Sequence, residues 1–385
     1  MRATGSALPA GCNGTLSTPR NDRMRPLWAV ANRLREWRVR GAVRSGALEH
    51  LHGPGEVKAP PHVPVVVTLV RNGEMWMRSF VEHYTALGVA HIFLLDNGST
   101  DDTVKLAAGY DGVTVYRTAL SFRQYELGMR RWLSHTFGLG RWSIAADIDE
   151  LWDYPGSDYL ALPDFVRYLE QHGYQAVLAH MLDMFSPLPL NAIGSRPDDD
   201  IRRRYRMYDL SDVVCRRDVY WIANGQAEGD GMFCTFDGVR ARLFGSSCLN
   251  QSKHALHFTG GAADPYRYDS HFVAGARIAD VSSVLLHYKY LSTLREQALE
   301  NVQLNQHHKS SRFYRDFAQV LESHPDLTMM TPGARELEHV DDLVGEGLLS
   351  VSDRYLDWIR RHGSHPQDGR RLMPGHDARS VSAAG

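Results

Sequence analysis

From residue 63 onward, the apolar positions alternate between strand-like runs and helix-like repeats. Unbroken apolar runs in VPVVVTLV (63–70) and VAHIFLL (89–95) are typical of strands buried on both faces, and EMWMRSFVEHYTALG (74–88) between them has helical spacing. The same alternation predicts further strands at 112–117, 141–146 and 174–182, and further helices at 99–109, 122–137 and 162–173. This order predicts an α/β fold of the Rossmann-like kind, with a mostly parallel sheet and helices on both faces.

The regions on either side of this core have different patterns. In RPLWAVANRLREWRVRGAVR (25–44), apolar residues recur at helical spacing and the arginines fall largely elsewhere on the wheel. This is a basic amphipathic helix, which could pack on the main domain or lie on a membrane surface. The predicted organisation is a leader with this helix and a linker (1–62), an α/β domain (63–291), a helical extension (292–364) and a disordered tail (365–385).

Composition narrows the class of protein. The chain has 385 residues, 43% of them hydrophobic, which is enough for a substantial core. The formal charge of -2 gives no overall field that favours nucleic acid as a partner. The 4 cysteines lack metal-site spacing and are expected to be reduced thiols of a cytoplasmic protein, with a secreted protein holding two disulfides as the alternative. No apolar run approaches the roughly 20 residues needed to span a bilayer.

The densest candidate chemistry lies in AADIDELW, where Asp147 and Asp149 follow a predicted buried strand. In an extended segment, alternate side chains point the same way, and two neighbouring carboxylates repel each other unless a cation lies between them. Mg²⁺ and Mn²⁺ prefer carboxylate oxygens and often complete their coordination with water and substrate phosphates. The pattern therefore indicates a divalent metal site that serves a diphosphate ligand, and the alternative is a solvated acidic loop.

A second polar group follows the preceding strands. Asp96 closes the strand HIFLL, and Arg71 and Asn72 close the first strand. In open parallel sheets, ligands bind beyond the carboxyl ends of the strands, so these side chains could bind a base, ribose or phosphate. A turn-forming aspartate and an Arg–Glu pair that caps the next helix are the structural alternatives.

These motifs together resemble those of a known enzyme family. The stretch TLVRNGEMWMRSFVEHYTALGVAHIFLLDNGSTDDT, followed by AADIDELW, is similar to the family-2-like glycosyltransferases of the GT-A fold. The resemblance extends to DGVRARLFG, SKHAL and VLLHYKYL and covers about residues 63–350. Two positions depart from the family pattern: Gly73 separates Asn72 from Glu74, and Asp237 stands where glycine is expected.

The resemblance implies a nucleotide-diphospho-sugar donor and transfer to a glycan, lipid-linked or protein acceptor, with inversion at the sugar carbon. It assigns the nucleoside to Arg71 and Asp96, with Asn72 beside them, and it assigns the ribose and the metal, Mn²⁺ or Mg²⁺, to Asp147 and Asp149. The catalytic base is expected downstream, among three acids that leave the choice open: Glu228, Asp230 and Asp237.

VLLHYKYL adds two candidates that the alternation of a strand places on one face. His287 is predicted to be a further metal ligand and Lys289 to contact the diphosphate, while a buried core histidine is the structural alternative for His287. His271 in DSHFVAG is the nearest competing ligand.

Two other classes of protein compete with a glycosyltransferase. A phosphohydrolase of the haloacid dehalogenase type also carries Asp-x-Asp after a buried strand, but there the pair follows the first strand of the core, whereas here it follows the fourth predicted strand. A nucleotide-sugar-binding protein without transfer activity is the other alternative. The predicted location is cytoplasmic, with peripheral membrane contact through residues 25–44 if that helix serves a membrane.

Overall fold

A computed structural model describes residues 25–44, 47–216, 232–245, 250–267, 270–304 and 312–364. The expected leader (1–22), the tail (365–385), Glu228 and Asp230 lie outside these residues. The strands are β1 Leu48–His52, β2 Val65–Val70, β3 His91–Asp96, β4 Val113–Thr118, β5 Trp142–Ala145, β6 Glu150–Asp153, β7 Ala176–Asp183, β8 Met207–Tyr208, β9 Val213–Arg216, β10 Cys234–Asp237, β11 Ser252–Phe258, β12 Ser283–His287 and β13 Arg335–Glu336.

The described helices flank these strands and extend beyond them. They are α1 Arg25–Arg44, α2 Glu74–Leu87, α3 Thr103–Ala107, α4 Phe122–Phe137, α5 Leu162–Gln171, α6 Ile201–Arg204, α7 Val239–Phe244, α8 Leu294–Leu304, α9 Arg312–Ser323, α10 Asp342–Gly345 and α11 Asp353–His362, with a 3₁₀ turn at Leu190–Ala192. No helix in the described part of the chain is long and apolar enough to cross a membrane.

The α/β fold expected from the sequence is confirmed. Nine strands form one sheet in the order β1-β4-β3-β2-β5-β11-β7-β12-β6. The strands β2, β3, β4, β5, β7 and β12 run in one direction, while β1, β6 and β11 run in the other. The sheet is therefore mostly parallel, and the reversed strand β11 lies between β5 and β7 and divides it into two halves.

Burial on both faces explains the unbroken apolar runs. In β2, Val66 and Val70 pack into the core cluster that contains α2, whereas Val65, Val67 and Leu69 pack into the cluster that contains α4. Both faces thus exclude water, and the strand needs apolar side chains at consecutive positions. Helix α4 matches its predicted bounds, 122–137, and α2 ends at Gly88 in the left-handed conformation, with φ 89°.

Several local expectations need correction. The sequence assigns residues 48–52 to the leader and linker, but they form β1, an edge strand antiparallel to β4. A second missed strand, β6, begins at Glu150, directly after the acidic pair. Helix α3 is shorter than the predicted 99–109. Short edge elements bury too few apolar side chains to produce a clear periodicity in the sequence.

The predicted helix at 25–44 is present as α1, and it packs against α4. Its buried side is carried by Glu36 and Val39, and Arg131 of α4 donates to Glu36 over 2.6 Å. Of the described cysteines, Cys215 is exposed and Cys234 is buried.

Candidate functional site

The acidic pair lies in the turn between β5 and β6, at the carboxyl end of the parallel strands. The backbone N–H of Glu150 donates to the carbonyl of Asp147 over 2.9 Å and closes this turn. The sequence argument assumed an extended segment with both carboxylates on one face, and that assumption was wrong. Because the chain turns here, Asp147 and Asp149 have different neighbours.

Asp147 is held by cationic side chains from two distant elements. Arg130 of α4 donates to its Oδ1 over 2.7 Å, and the Nζ of Lys253, in β11, lies 3.9 Å from its Oδ2. Lys253 is buried and also forms a 2.5 Å ion pair with Glu150. Enclosure by the protein raises the pKa of Asp147, but Arg130 and Lys253 outweigh it, so the pKa lies well below its usual range.

Asp149 faces a histidine rather than an arginine. Its Oδ2 lies 3.4 Å from Nε2 of His287, the last residue of β12. On the other side of the ring, Nδ1 lies 2.6 Å from Oδ1 of Asp183, the last residue of β7. Arg240 of α7 donates to the same Asp183 oxygen over 2.7 Å. The structure thus connects the partly exposed Asp149 with the buried residues His287, Asp183 and Arg240 in one chain of contacts.

The charged groups in this chain of contacts shift one another's pKa values. Burial lowers the pKa of His287, but Asp149 and Asp183 outweigh it and raise the pKa above the usual value. Burial raises the pKa of Asp149, whereas His287, and then Lys289, lower it further than burial raises it. Lys289 therefore acts on the site electrostatically, although β12 ends two residues before it. Without a bound ligand, the arrangement favours an imidazolium beside a carboxylate.

Asp149 and His287 have the chemistry expected of metal ligands. Asp183 fixes the proton of His287 on Nδ1, which directs Nε2 towards Asp149, as in carboxylate–histidine–metal arrangements. A carboxylate oxygen and an imidazole nitrogen suit Mn²⁺. The described residues contain no group of three or more His, Cys, Asp or Glu side chains arranged around a metal position. A metal held here would therefore need further ligands from phosphate and water.

Arg71 and Asp96 lie at the carboxyl ends of the adjacent strands β2 and β3. Asp96 is fully buried and already accepts hydrogen bonds from the backbone of Ser99 and from Arg117, the latter over 2.7 Å. Arg71 donates through Nη1 to the carbonyl of Asn97, while its buried Nε has no partner among the described residues. Arg71 thus has an unsatisfied donor inside the site, whereas the bonds of Asp96 fit the turn-forming alternative.

Asn72 connects the loop that follows β2 to the loop that follows β3. It has a left-handed conformation with φ 50°, and its Oδ1 accepts from the backbone N–H of Thr100 over 2.9 Å. The following Gly73 lies against Ile148, where an added Cβ would come 3.0 Å from Ile148 Cγ1 and 2.7 Å from Val70 Cγ2. A side chain at position 73 would therefore force the side chains of Val70 in β2 and Ile148 in the acidic turn to shift, which is consistent with glycine here.

Asp237 ends β10 with a φ of 67°, an uncommon conformation for a residue other than glycine. This conformation is consistent with the glycine that the family resemblance predicts at this position. The turn after Asp237 leads into α7, which delivers Arg240 to Asp183. His271, the competing ligand, lies on the Asp147 side of the site, where it contributes to the low pKa of Asp147.

Four side chains of the site were not singled out from the sequence: Arg130, Asp183, Arg240 and Lys253. Asp183 had a detectable signal, because it closes an apolar strand in the same way as Asp96, although the predicted strand stopped one residue earlier. Arg240 and Lys253 lie in the stretches DGVRARLFG and SKHAL that carry the family resemblance, but neither residue was given a role there. Arg130 lies in α4, and nothing in its local sequence distinguishes it from a surface residue.

A cavity of about 470 Å³ opens on the opposite side of β12 from His287. Its lining includes Leu286, whose side chain points away from that of its strand neighbour His287. Three arginines and three acidic residues line it, namely Arg202, Arg203, Arg206, Asp200, Glu336 and Glu338. The balance of charge gives this cavity no preference for a phosphate-bearing ligand.

Comparison with known proteins gives only distant similarities. No family model matches the chain, and no curated protein matches its sequence. The solved structures include glucosyl-3-phosphoglycerate synthase from Mycobacterium tuberculosis with Mn²⁺, UDP and glucosyl-3-phosphoglycerate, at 22% identity and a TM-score of 0.21 over 34% of this chain and 52% of that chain. The match thus spans about half of the synthase. UTP-bound UGPase from Acinetobacter baumannii matches at 9% identity and a TM-score of 0.22, over 68% of this chain and 83% of that chain. Neither carries an argument about function.

Proposed function

We propose that this chain is a metal-dependent glycosyltransferase that moves a sugar, with inversion, from a nucleotide-diphospho-sugar to a hydroxyl of a glycan, lipid-linked or protein acceptor. The observation that carries the proposal is the chain of contacts Asp149–His287–Asp183 at the carboxyl ends of the sheet strands, in which His287 and Asp183 are buried and Asp149 is partly exposed. It combines a carboxylate and an oriented imidazole where ligands bind in α/β sheets.

In this proposal, Asp149 and His287 hold Mn²⁺ or Mg²⁺ together with the donor diphosphate. When bound, the metal neutralises charge on the departing diphosphate. Lys289, which already lowers the pKa of Asp149, contacts a phosphate oxygen. Asp147 remains a proposed ligand for the ribose or the metal; Arg130 occupies its Oδ1, so Oδ2, which lies 3.9 Å from Lys253 Nζ, is the oxygen that would serve.

The nucleoside is proposed to lie over the ends of β2 and β3. Arg71 directly follows β2 and is proposed to contact the nucleoside through its guanidinium, and Asn72 shapes the loop through its bond to Thr100. Asp96, with Ser99 and Arg117 on its carboxylate, acts on the nucleoside directly or by fixing this loop.

A direct displacement needs a base that takes the proton of the acceptor hydroxyl, and Glu228, Asp230 and Asp237 stay the candidates. Asp149 keeps its proposed catalytic role through the metal, because a carboxylate that holds a metal is less basic and suits the role of base less well. A cytoplasmic location also stays a prediction.

The test is incubation of the full chain with Mn²⁺ and a panel of nucleotide sugars, followed by detection of free sugar and nucleoside diphosphate. We expect slow hydrolysis of one donor, which disappears with EDTA and in Asp149→Asn but persists in Asp111→Asn, a change at an exposed loop aspartate. Hydrolysis of simple phosphate esters instead would favour the phosphohydrolase alternative. Metal-dependent binding without turnover of any donor, with acceptors added, would leave the binding protein as the better account.

A further inference from the structure

The outer face of α1, formed by Val30, Leu34 and Trp37, is apolar and exposed. These side chains have 56%, 57% and 66% of their surface accessible, respectively. Their spacing of four and three residues places them in one stripe along the helix. The opposite side of α1 is buried, with Val39 fully enclosed and Glu36 paired with Arg131. The apolar stripe therefore faces away from the domain on which the helix packs.

Positive charge borders this stripe on both sides. Arg33, Arg38 and Arg40 are exposed, and at 3.6 residues per turn Arg33 and Arg40 lie along one edge of the stripe and Arg38 along the other. The acid of this segment, Glu36, is turned inward, where it accepts from Arg131 and Arg40. The outer face thus combines apolar side chains at its centre with cationic side chains at its rim.

We propose that the outer face of α1 binds an anionic lipid surface. An interfacial helix inserts apolar and aromatic side chains at the level of the headgroups while arginines contact lipid phosphates. Val30, Leu34 and Trp37 supply the first group, and the bordering arginines supply the second. Charge also selects this partner over a second copy of the chain, because pairing two such faces would bring the arginine rims together.

Helix α1 is connected directly to the folded domain through its inner side. Arg131, which holds the inner side of α1 through Glu36, also donates to Asp264. Because α1 is fixed by its inner side, lipid binding by its outer face requires no unfolding of the helix. This inference does not depend on the proposed transferase activity, and its test uses no nucleotide or sugar.

The test is flotation of the full chain with phosphatidylcholine vesicles and with vesicles containing one third phosphatidylglycerol. We expect binding to the anionic vesicles that weakens at high salt. The double change Leu34→Ser and Trp37→Ser should reduce the partition constant by about tenfold or more, because two apolar side chains no longer leave water. Leu139→Ser is the matched control, since Leu139 is 64% exposed elsewhere on the surface.

A second variant separates charge from apolar contact. Arg33→Gln with Arg38→Gln should reduce binding to the anionic vesicles by about tenfold while leaving residual binding to neutral vesicles unchanged. Circular dichroism and thermal unfolding check that each variant is folded. Equal binding of the wild type to neutral and anionic vesicles, or equal loss in Leu139→Ser, would overturn the proposal. So would concentration-dependent self-association without lipid that the Leu34 and Trp37 changes abolish.

Discussion

Asp147 and Asp149 are separated by one residue, yet different kinds of counter-charge surround them. Asp147 is bonded to Arg130 and lies near Lys253, both of which stay charged at any physiological pH. Asp149 instead faces His287, whose charge can be lost. A divalent cation can displace the proton from one nitrogen of an imidazolium and bind there, but it cannot displace a proton from a guanidinium. The comparison therefore favours Asp149 over Asp147 as the carboxylate that accepts a metal.

The largest expected effect is on metal-dependent nucleotide binding in Asp149→Asn. Loss of a direct ligand should weaken Mn²⁺ affinity in the presence of a nucleoside diphosphate by about 100-fold or more. Loss of a residue that only supports a metal ligand typically weakens metal affinity by about 10- to 100-fold, and loss of the ligand itself should cost at least as much. Calorimetry with and without Mn²⁺ measures this change. Asp147→Asn is the matched variant and should lose less; equal losses in the two variants would remove the distinction between the carboxylates.

Asp183→Asn is expected to have the next largest effect. This substitution keeps the side-chain volume but removes the charge that orients Nδ1 of His287 and pairs with Arg240. Mn²⁺ affinity should fall by about 10- to 100-fold, as for other partners of metal-bound histidines. The measurement is Mn²⁺ titration of the nucleotide complex in Asp183→Asn, with Asp111→Asn as the exposed control. Unchanged Mn²⁺ affinity in a folded Asp183→Asn protein would show that the orientation of His287 does not matter.

Arg130→Met tests the comparison of the two carboxylates by changing the surroundings of Asp147 rather than those of Asp149. It removes the 2.7 Å bond to Asp147 but leaves Lys253 nearby, and the Asp147 side chain is 36% exposed. We expect a loss of about 1 kcal/mol in the free energy of unfolding, since Asp147 is partly exposed and Lys253 still lies beside it, together with Mn²⁺ affinity within about threefold of the parent. Chemical denaturation and the same Mn²⁺ titration check the two parts. A collapse of Mn²⁺ affinity would mean that Arg130 shapes the metal site.

The smallest expected effect is the pH dependence of stability in the metal-free protein. Burial lowers the pKa of His287 in the folded state, but Asp149 and Asp183 raise it by more, so the net shift is upward. The contribution of His287 to the free energy of unfolding is therefore fully present below its pKa in the unfolded chain, about 6.5. This contribution is lost as the pH rises through the higher pKa of the folded state. The free-energy difference between wild type and His287→Gln should shrink from pH 6 to pH 9 in EDTA. A constant difference would show that His287 is neutral throughout.

Much of the fold was accessible from the sequence because its elements have local causes. The apolar runs of β2 and β3 and the periodicity of α4 follow from burial on one or both faces, and each was predicted within about two residues, the usual uncertainty at element ends. The edge strand β1 was missed because it buries little, and β6 was missed because its four residues, although buried, are too few to show a period and two of them are acidic. Only the order of strands in the sheet, which pairing across the chain determines, places β11 between β5 and β7.

The candidate site divides in the same way. The sequence by itself determined that Asp96, Asp147 and Asp149 follow buried strands and that His287 closes another, because a polar residue that interrupts an apolar run is visible locally. Only the tertiary structure decided the partner of each. Arg130 is 17 residues from Asp147 along the chain, and His287 is 104 residues from Asp183. Charge interactions depend on distance in space, and a turn at Ile148, invisible in the alternation of residues, sends the two carboxylates to different cations.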